Sequence, residues 1–129
     1  MEYLCTTCSK AKNTDKALLP AIQRYISERI AFVSRESKKL HKPFLILSGK
    51  YGLINAAMPI PWYDQALQFY DVPQMIPVLK TQLMEKQVSR MVFYGLARKT
   101  PGWEPYYAVL EKACDNLGID LTFRELNLQ

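Results

Sequence analysis

Short apolar runs alternate along this chain with longer stretches in which apolar side chains recur at helical spacing. Tyr3-Leu4-Cys5 predicts a strand over residues 2–6. Polar residues come next, and Asn13 or Thr14 offers a cap for a helix whose apolar positions are Leu18, Ile22, Ile26, Ile30 and Val33, ending near Ser37. Pro20 falls in an early turn of that helix and bends it or moves its effective start to Leu19. Phe44-Leu45-Ile46-Leu47 is a run without polar interruption, as in a strand buried on both faces, and it stops at Ser48-Gly49. Residues 48–70 contain Gly49, Gly52, Pro59 and Pro61, too many breakers for one helix. The same stretch holds enough aromatic and aliphatic anchors to predict a packed loop rather than a disordered one.

The second half repeats the alternation. Asp71 and Gln74 have capping-box spacing, and Ile76, Leu79 and Leu83 continue a helical stripe toward Gln87. Met91-Val92-Phe93-Tyr94 predicts a third strand. Trp103, Tyr107, Leu110, Cys114 and Leu117 then lie on one face of a helix that stops at Gly118, before a last strand from Asp120 to about Leu126. Strands separated by helices require crossover connections. The expected fold is therefore α/β: one domain over residues 1–129 with a small, mainly parallel sheet, Rossmann-like or flavodoxin-like, and helices on both faces. Ligands of such sheets sit beyond the carboxyl ends of the strands, which here deliver loops 6–13, 48–70 and 95–102.

Composition narrows the chemistry. The chain has 129 residues, 49% of them hydrophobic, and 17 Lys and Arg against 12 Asp and Glu give a net charge of +5. That balance favours an anionic partner such as a nucleotide or nucleic acid. No apolar run approaches the roughly 18 to 20 residues of a membrane span, and the amino terminus lacks the order of a secretory signal, so no membrane partner and a cytoplasmic location are expected. Oligomeric state is not legible in the sequence. Cys5, Cys8 and Cys114 are expected to be reduced thiols. Cys5-Thr6-Thr7-Cys8 has dithiol spacing, but Cys5 belongs to the first strand and is expected to face the core. Zinc is not expected, because His41 and Cys114 are isolated and supply no second ligand pair. The single His41 lies in a basic connector with Lys38, Lys39 and Lys42, away from the strand ends, which argues against a nucleophilic triad. Neither the dinucleotide glycine fingerprint nor a P-loop is present, and no cofactor is expected.

The distinctive words are Cys8-Ser9-Lys10-Ala11-Lys12, Leu47-Ser48-Gly49-Lys50-Tyr51-Gly52-Leu53 and Pro61-Trp62-Tyr63-Asp64. Together they resemble the YaaA-like peroxide-stress proteins and related small domains of unknown function, over roughly residues 4–70. The chain departs from that pattern by one residue inserted between Pro61 and Tyr63. The resemblance implies a link to oxidative stress and nucleic acid, and, by analogy with similar domains, to N-glycosidic-bond chemistry.

Read as chemistry, Ser48, Gly49 and Lys50 can hold an oxyanion or phosphate beyond a strand end, with Gly52 completing the turn. Cys8, Ser9, Lys10 and Lys12 bring polar groups and charge from the neighbouring loop. Asp64 can act as general base, and Tyr51 or Tyr63 can stack on a base. The same residues also suit a plain turn in which Ser48 caps backbone and Lys50 is solvated. Two functions stay open: an enzyme hydrolysing or exchanging an N-glycosidic bond, with Asp64, Ser48 and Lys50 catalytic, and a non-catalytic protein that holds nucleic acid or a phosphorylated ligand. In both, the anion is expected within reach of Ser9, Lys12, Ser48 and Lys50, in front of a helix beginning near Asn13.

Overall fold

The apolar runs become the strands of one sheet. In the computed structural model, which describes residues 1–127, Glu2–Thr7 (β1) pairs in parallel with Phe44–Ser48 (β3) on one side and Arg90–Gly95 (β6) on the other. Asp120–Glu125 (β7) adds in parallel beyond β6. Between β1 and β3 lie the two-residue strand Leu19–Pro20 (β2), a short helix Ala21–Arg24 (α1) and the main helix Glu28–Leu40 (α2). Gly52–Asn55 (β4) turns back antiparallel on β3, giving a five-stranded sheet of order β4-β3-β1-β6-β7. Pro59–Ile60 (β5) pairs with β2 in a separate ribbon. Val72–Glu85 (α3) precedes β6, and Glu104–Leu117 (α4) precedes β7.

Strand periodicity sorts the core. Tyr3 and Cys5 join Leu79, Leu83, Leu110 and Cys114 of α3 and α4, whereas Leu4 between them packs with Val33 of α2 and Tyr94. The fully buried Ile46 joins Ile30, Ile54 and Tyr63 in a third cluster. Successive side chains of β1 and β3 thus join different apolar clusters. Gly118 ends α4 in the left-handed conformation at φ 68°, where its N–H reaches the Asp115 carbonyl. Among the described residues no helix is long and apolar enough to cross a membrane.

Three local expectations need correction. No single helix runs from residue 14 to 37: Leu18 and Ile26 are 64% and 60% exposed, and α2 begins at Glu28, where Ser27 Oγ accepts from Ile30 N–H at 3.2 Å. The cause is Arg24. Its buried guanidinium donates to the carbonyls of Asn13, Asp15, Ala17 and Ile60, holding residues 13–17 as a loop instead of a first helical turn. The capping box at the start of α3 lies one turn earlier, between Gln68 and Asp71. Finally, the stretch after β3 contains β4, an edge strand too short to register as a separate run.

Candidate functional site

The order of the strands marks one crevice. The chain passes from β1 to β3 on one side and returns to β6 on the other, so the segments leaving β1 and β6 part from each other at the carboxyl edge of the sheet. A cavity of about 350 Å³ opens there. All three expected loops contribute: Thr7 ends β1 and Cys8 to Lys10 and Lys12 follow it, Asp64 to Ala66 come from the segment after β5, and Pro101 to Trp103 follow β6. Tyr106 of α4 and Arg29 of α2 complete the wall.

Arg29 is the unusual member. It sits on the face of α2 that packs against β1, one helical turn before the fully buried Val33, and is only 9% exposed. One of its terminal nitrogens, Nη1, donates to Thr6 Oγ1 and the Thr7 carbonyl at 2.7 Å each, and Nη2 reaches the Cys8 carbonyl at 3.4 Å. Its guanidinium lies 4.8 Å from the Trp103 ring centroid. Among the described residues no carboxylate pairs with it. Burial holds its pKa below the usual arginine value, yet a guanidinium keeps its charge at any physiological pH. Its hydrogen-bond partners among the described residues are all neutral, as are those of the fully buried Arg24, but Arg29 alone of the two lines the cavity.

The rest of the wall divides in two. Lys10 is exposed and Lys12 half-buried, with Lys12 Nζ 4.7 Å from the Tyr63 ring centroid. The Cys8 thiol lies 3.6 Å from the Tyr106 hydroxyl, which in turn accepts from Leu67 N–H at 3.0 Å. Burial pushes the Tyr106 pKa up, so the phenol stays protonated. Ser9 Oγ donates to the Ala11 carbonyl at 2.7 Å and shapes the loop. Asp64 is exposed at the rim and makes no hydrogen bond or ion pair among the described residues.

The other half of the expected site is built differently. Ser48 is fully buried, and its Oγ accepts from the N–H groups of Lys50 and Tyr51 at 3.1 Å each and shares a 2.8 Å hydrogen bond with Tyr63. Tyr63 bonds onward to Tyr25; burial raises both phenols, Tyr25 to about 12. Gly49 has the close backbone approach expected of it, but toward the chain itself. A Cβ there would stand 2.7 Å from Leu67 N and 2.9 Å from Gln65 O. Lys50 is exposed, its Nζ 5.4 Å and 5.9 Å from the ring centroids of Tyr51 and Tyr63. Gly52, at φ +74°, opens β4 under Gln82. The structure thus gathers Cys8, Ser9, Lys10, Lys12 and Asp64 around the cavity. Ser48, Gly49, Lys50, Tyr51, Gly52 and Tyr63 are not among its lining residues, although Lys12 and Lys50 both lie within 6 Å of the Tyr63 ring centroid.

One expectation changes with that geometry. No helix begins near Asn13 to aim free N–H groups at the site, since α2 starts beyond its cap at Ser27. Cys5 faces the core, as expected of a residue in the first strand, and is fully buried beneath α3 and α4, while Cys8 lines the cavity. Arg29, Trp103 and Tyr106 are lining residues that sequence reasoning missed. Arg29 alone left a trace, as a charge one turn from Val33 on an otherwise apolar stripe. Among the described residues no cluster of three His, Cys, Asp or Glu could hold a metal ion. No protein-family model, no curated protein and no solved structure matches this chain.

Proposed function

We propose that the cavity between the ends of β1 and β6 takes a nucleotide-class ligand, a nucleobase on a phosphorylated sugar, and that the chain hydrolyses or exchanges its N-glycosidic bond. The observation that carries this reading is Arg29, a buried cation that has no carboxylate partner among the described residues and lines a cavity of about 350 Å³. A phosphate there completes the neutralisation that the fold omits, with Lys10 and Lys12 at the rim adding attraction. Trp103 and Tyr106 give the other wall the apolar, aromatic character that suits a base. The α2, α3 and α4 helices, in this reading, cover both faces of a flavodoxin-like sheet, and the ligand occupies its usual crevice. The shared words with YaaA-like proteins point toward the same ligand class.

Among the described residues Asp64 is the one carboxylate in the wall, and it supplies the base. It takes a proton from water or from an acceptor hydroxyl as that oxygen bonds to the anomeric carbon. The glycosidic bond breaks, and its electron pair leaves with the nucleobase, which takes up a proton from solvent while the proton on Asp64 returns to solvent, restoring the carboxylate. Ser48 and Lys50 do not line the cavity and take no part in this step. The experiment is incubation with nucleoside monophosphates, modified nucleosides and damaged oligonucleotides, with free base as readout. Base release from a phosphorylated member, abolished in Asp64→Asn, is expected; uniform inactivity across the panel contradicts the catalytic reading.

One observation favours the alternative of binding without turnover: Asp64 is exposed and no neighbour fixes its orientation. In that case Asp64→Asn leaves ligand affinity intact and no base appears. Nucleic acid as the bound species requires affinity that falls steeply with salt, whereas a small anion held on Arg29 shows a shallower dependence.

A further inference from the structure

The two edges of the sheet are finished in different ways. At one edge Gln82 of α3 closes the free backbone of β4: its Oε1 accepts from Leu53 N–H at 2.7 Å and its Nε2 donates to the Tyr51 carbonyl at 2.9 Å. At the other edge, β7 has no such cover among the described residues, and Asp120, Thr122, Phe123, Arg124 and Glu125 are exposed. Exposed edges are commonly blunted with Pro, charged side chains, Lys above all, or a bulge. β7 has no Pro, Lys or bulge, its register with β6 runs unbroken from Asp120 to Glu125, and its charged residues, Asp120, Arg124 and Glu125, are of both signs.

The free edge has a definite parity. Asp120 N–H donates to the Ser89 carbonyl and Leu126 N–H to the Gly95 carbonyl, so the even-numbered backbone groups point at β6. Those of Leu121, Phe123 and Glu125 point away, toward open space. An antiparallel partner must bond to these odd positions. When the partner is the same strand, the register that places Thr122 opposite Thr122 meets the condition, with Leu121 and Phe123 exchanging backbone hydrogen bonds across the axis. That register also sets Asp120 opposite Arg124 twice, joining oppositely charged side chains at both ends. Asp120 already has Arg90 at 3.3 Å within its own chain.

The side chains agree. Leu121 and Phe123 line a second cavity, of about 580 Å³, between β7 and α4. Phe123 is 39% exposed although it packs on Phe93 and Tyr107. Opposing Leu121 to Phe123 on that face makes the two grooves continuous across the axis and covers their apolar floor.

We propose that β7 pairs antiparallel with β7 of a second copy of this chain, Thr122 facing Thr122, to join the two sheets into one across a two-fold axis. The groove along β7 shares no lining residue with the cavity beside β1, and this interface does not rest on the ligand reading. Sedimentation or light scattering should give a mass near twice that of one chain at tens of micromolar. Thr122→Cys should cross-link to itself under mild copper–phenanthroline oxidation, because facing non-hydrogen-bonded positions lie within disulfide reach. Arg124→Cys, which faces Asp120, should not. Asp120→Lys and Arg124→Asp should each be monomeric alone, through like-charge facing, and should form a heterodimer when mixed. A wild-type monomer throughout the concentration range overturns the proposal. So does a dimer that neither cross-links at residue 122 nor responds to the charge variants, or one that cross-links at Phe123→Cys instead. The mixing arm separates loss of the interface from loss of folding, since two misfolded chains cannot restore each other.

Discussion

The loops that leave β1 and β3 begin alike, each with a small hydroxyl residue close to a lysine at the carboxyl end of a buried strand, and they end in opposite roles. After β1, Cys8, Ser9, Lys10 and Lys12 border a cavity with Arg29 at its floor. After β3, Ser48 turns inward and satisfies two backbone N–H groups and a tyrosine, and Gly49 lies against the backbone of residues 65 and 67. The difference arises from the path of the chain beyond each strand. β4 folds straight back on β3 and closes the space over that strand's end, whereas the chain after β1 runs outward until Arg24 anchors it. A serine-glycine-lysine word therefore reads equally well as an anion cradle or as a tight turn, and the next strand decides which it becomes.

Gly49→Ala should have the largest effect. A methyl there collides with Leu67 N, Gln65 O and the Tyr106 hydroxyl, all within 2.9 Å. A loss of about 1–3 kcal/mol is expected in urea denaturation, the range for overpacked interiors. Wild-type stability for this variant would mean that the loop after β3 is looser than described. Ser48→Ala should cost about 1–3 kcal/mol as well, because it strands the buried partners of its hydroxyl. A stable Ser48→Ala that instead loses ligand binding would make the two loops equivalent and break the comparison.

Much of this architecture was legible in the sequence. The runs at residues 3–5, 44–47 and 91–94 are buried β-strand interiors, and Gly118 ends its helix as glycine after an apolar stripe usually does. Cys8, Lys10 and Lys12 could be placed at the carboxyl edge of the sheet because they follow the first buried strand directly, whereas Asp64, far along the chain from β3, drew notice only through the word Pro61-Trp62-Tyr63-Asp64. The break between α1 and α2 was not, since Leu18, Ile22 and Ile26 keep helical spacing with Ile30 and Val33. What overrides that spacing is Arg24 bonding to carbonyls as distant as Ile60, a contact without a local signature. Trp103 and Tyr106 face the cavity from an α4 region whose stripe reads as ordinary core.

Titration sharpens the comparison along β1 itself. Cys5 and Cys114 are held above the ordinary thiol value by burial, Cys114 at about 12, and Tyr25 is likewise raised to about 12. Folded pKa values above unfolded ones mean that these groups contribute their full stability below the unfolded value of about 9 for the thiols. That contribution is lost as pH rises toward 12. Alkaline unfolding should therefore begin above pH about 9, and in the native state at neutral pH a thiol reagent should label Cys8 far faster than Cys5 or Cys114. Comparable labelling of all three thiols in the folded protein would contradict the placement of Cys5. Ser9→Ala should have the smallest effect, within about 0.5 kcal/mol, as its single hydrogen bond lies at the surface. A loss matching that of Ser48→Ala would show that the loop after β1 is equally structural.

The most direct test of the central claim is calorimetric titration of a nucleoside monophosphate into the wild type, Arg29→Met and Lys50→Met. If the buried cation beside β1 is the anion anchor, Arg29→Met weakens binding by about 10- to 100-fold, the worth of a charge-assisted hydrogen bond. Lys50→Met then changes it by less than about threefold, as expected for a solvated surface charge. Equal or greater loss in Lys50→Met, with Arg29→Met binding as the wild type does, contradicts the account and returns the anion to the loop after β3.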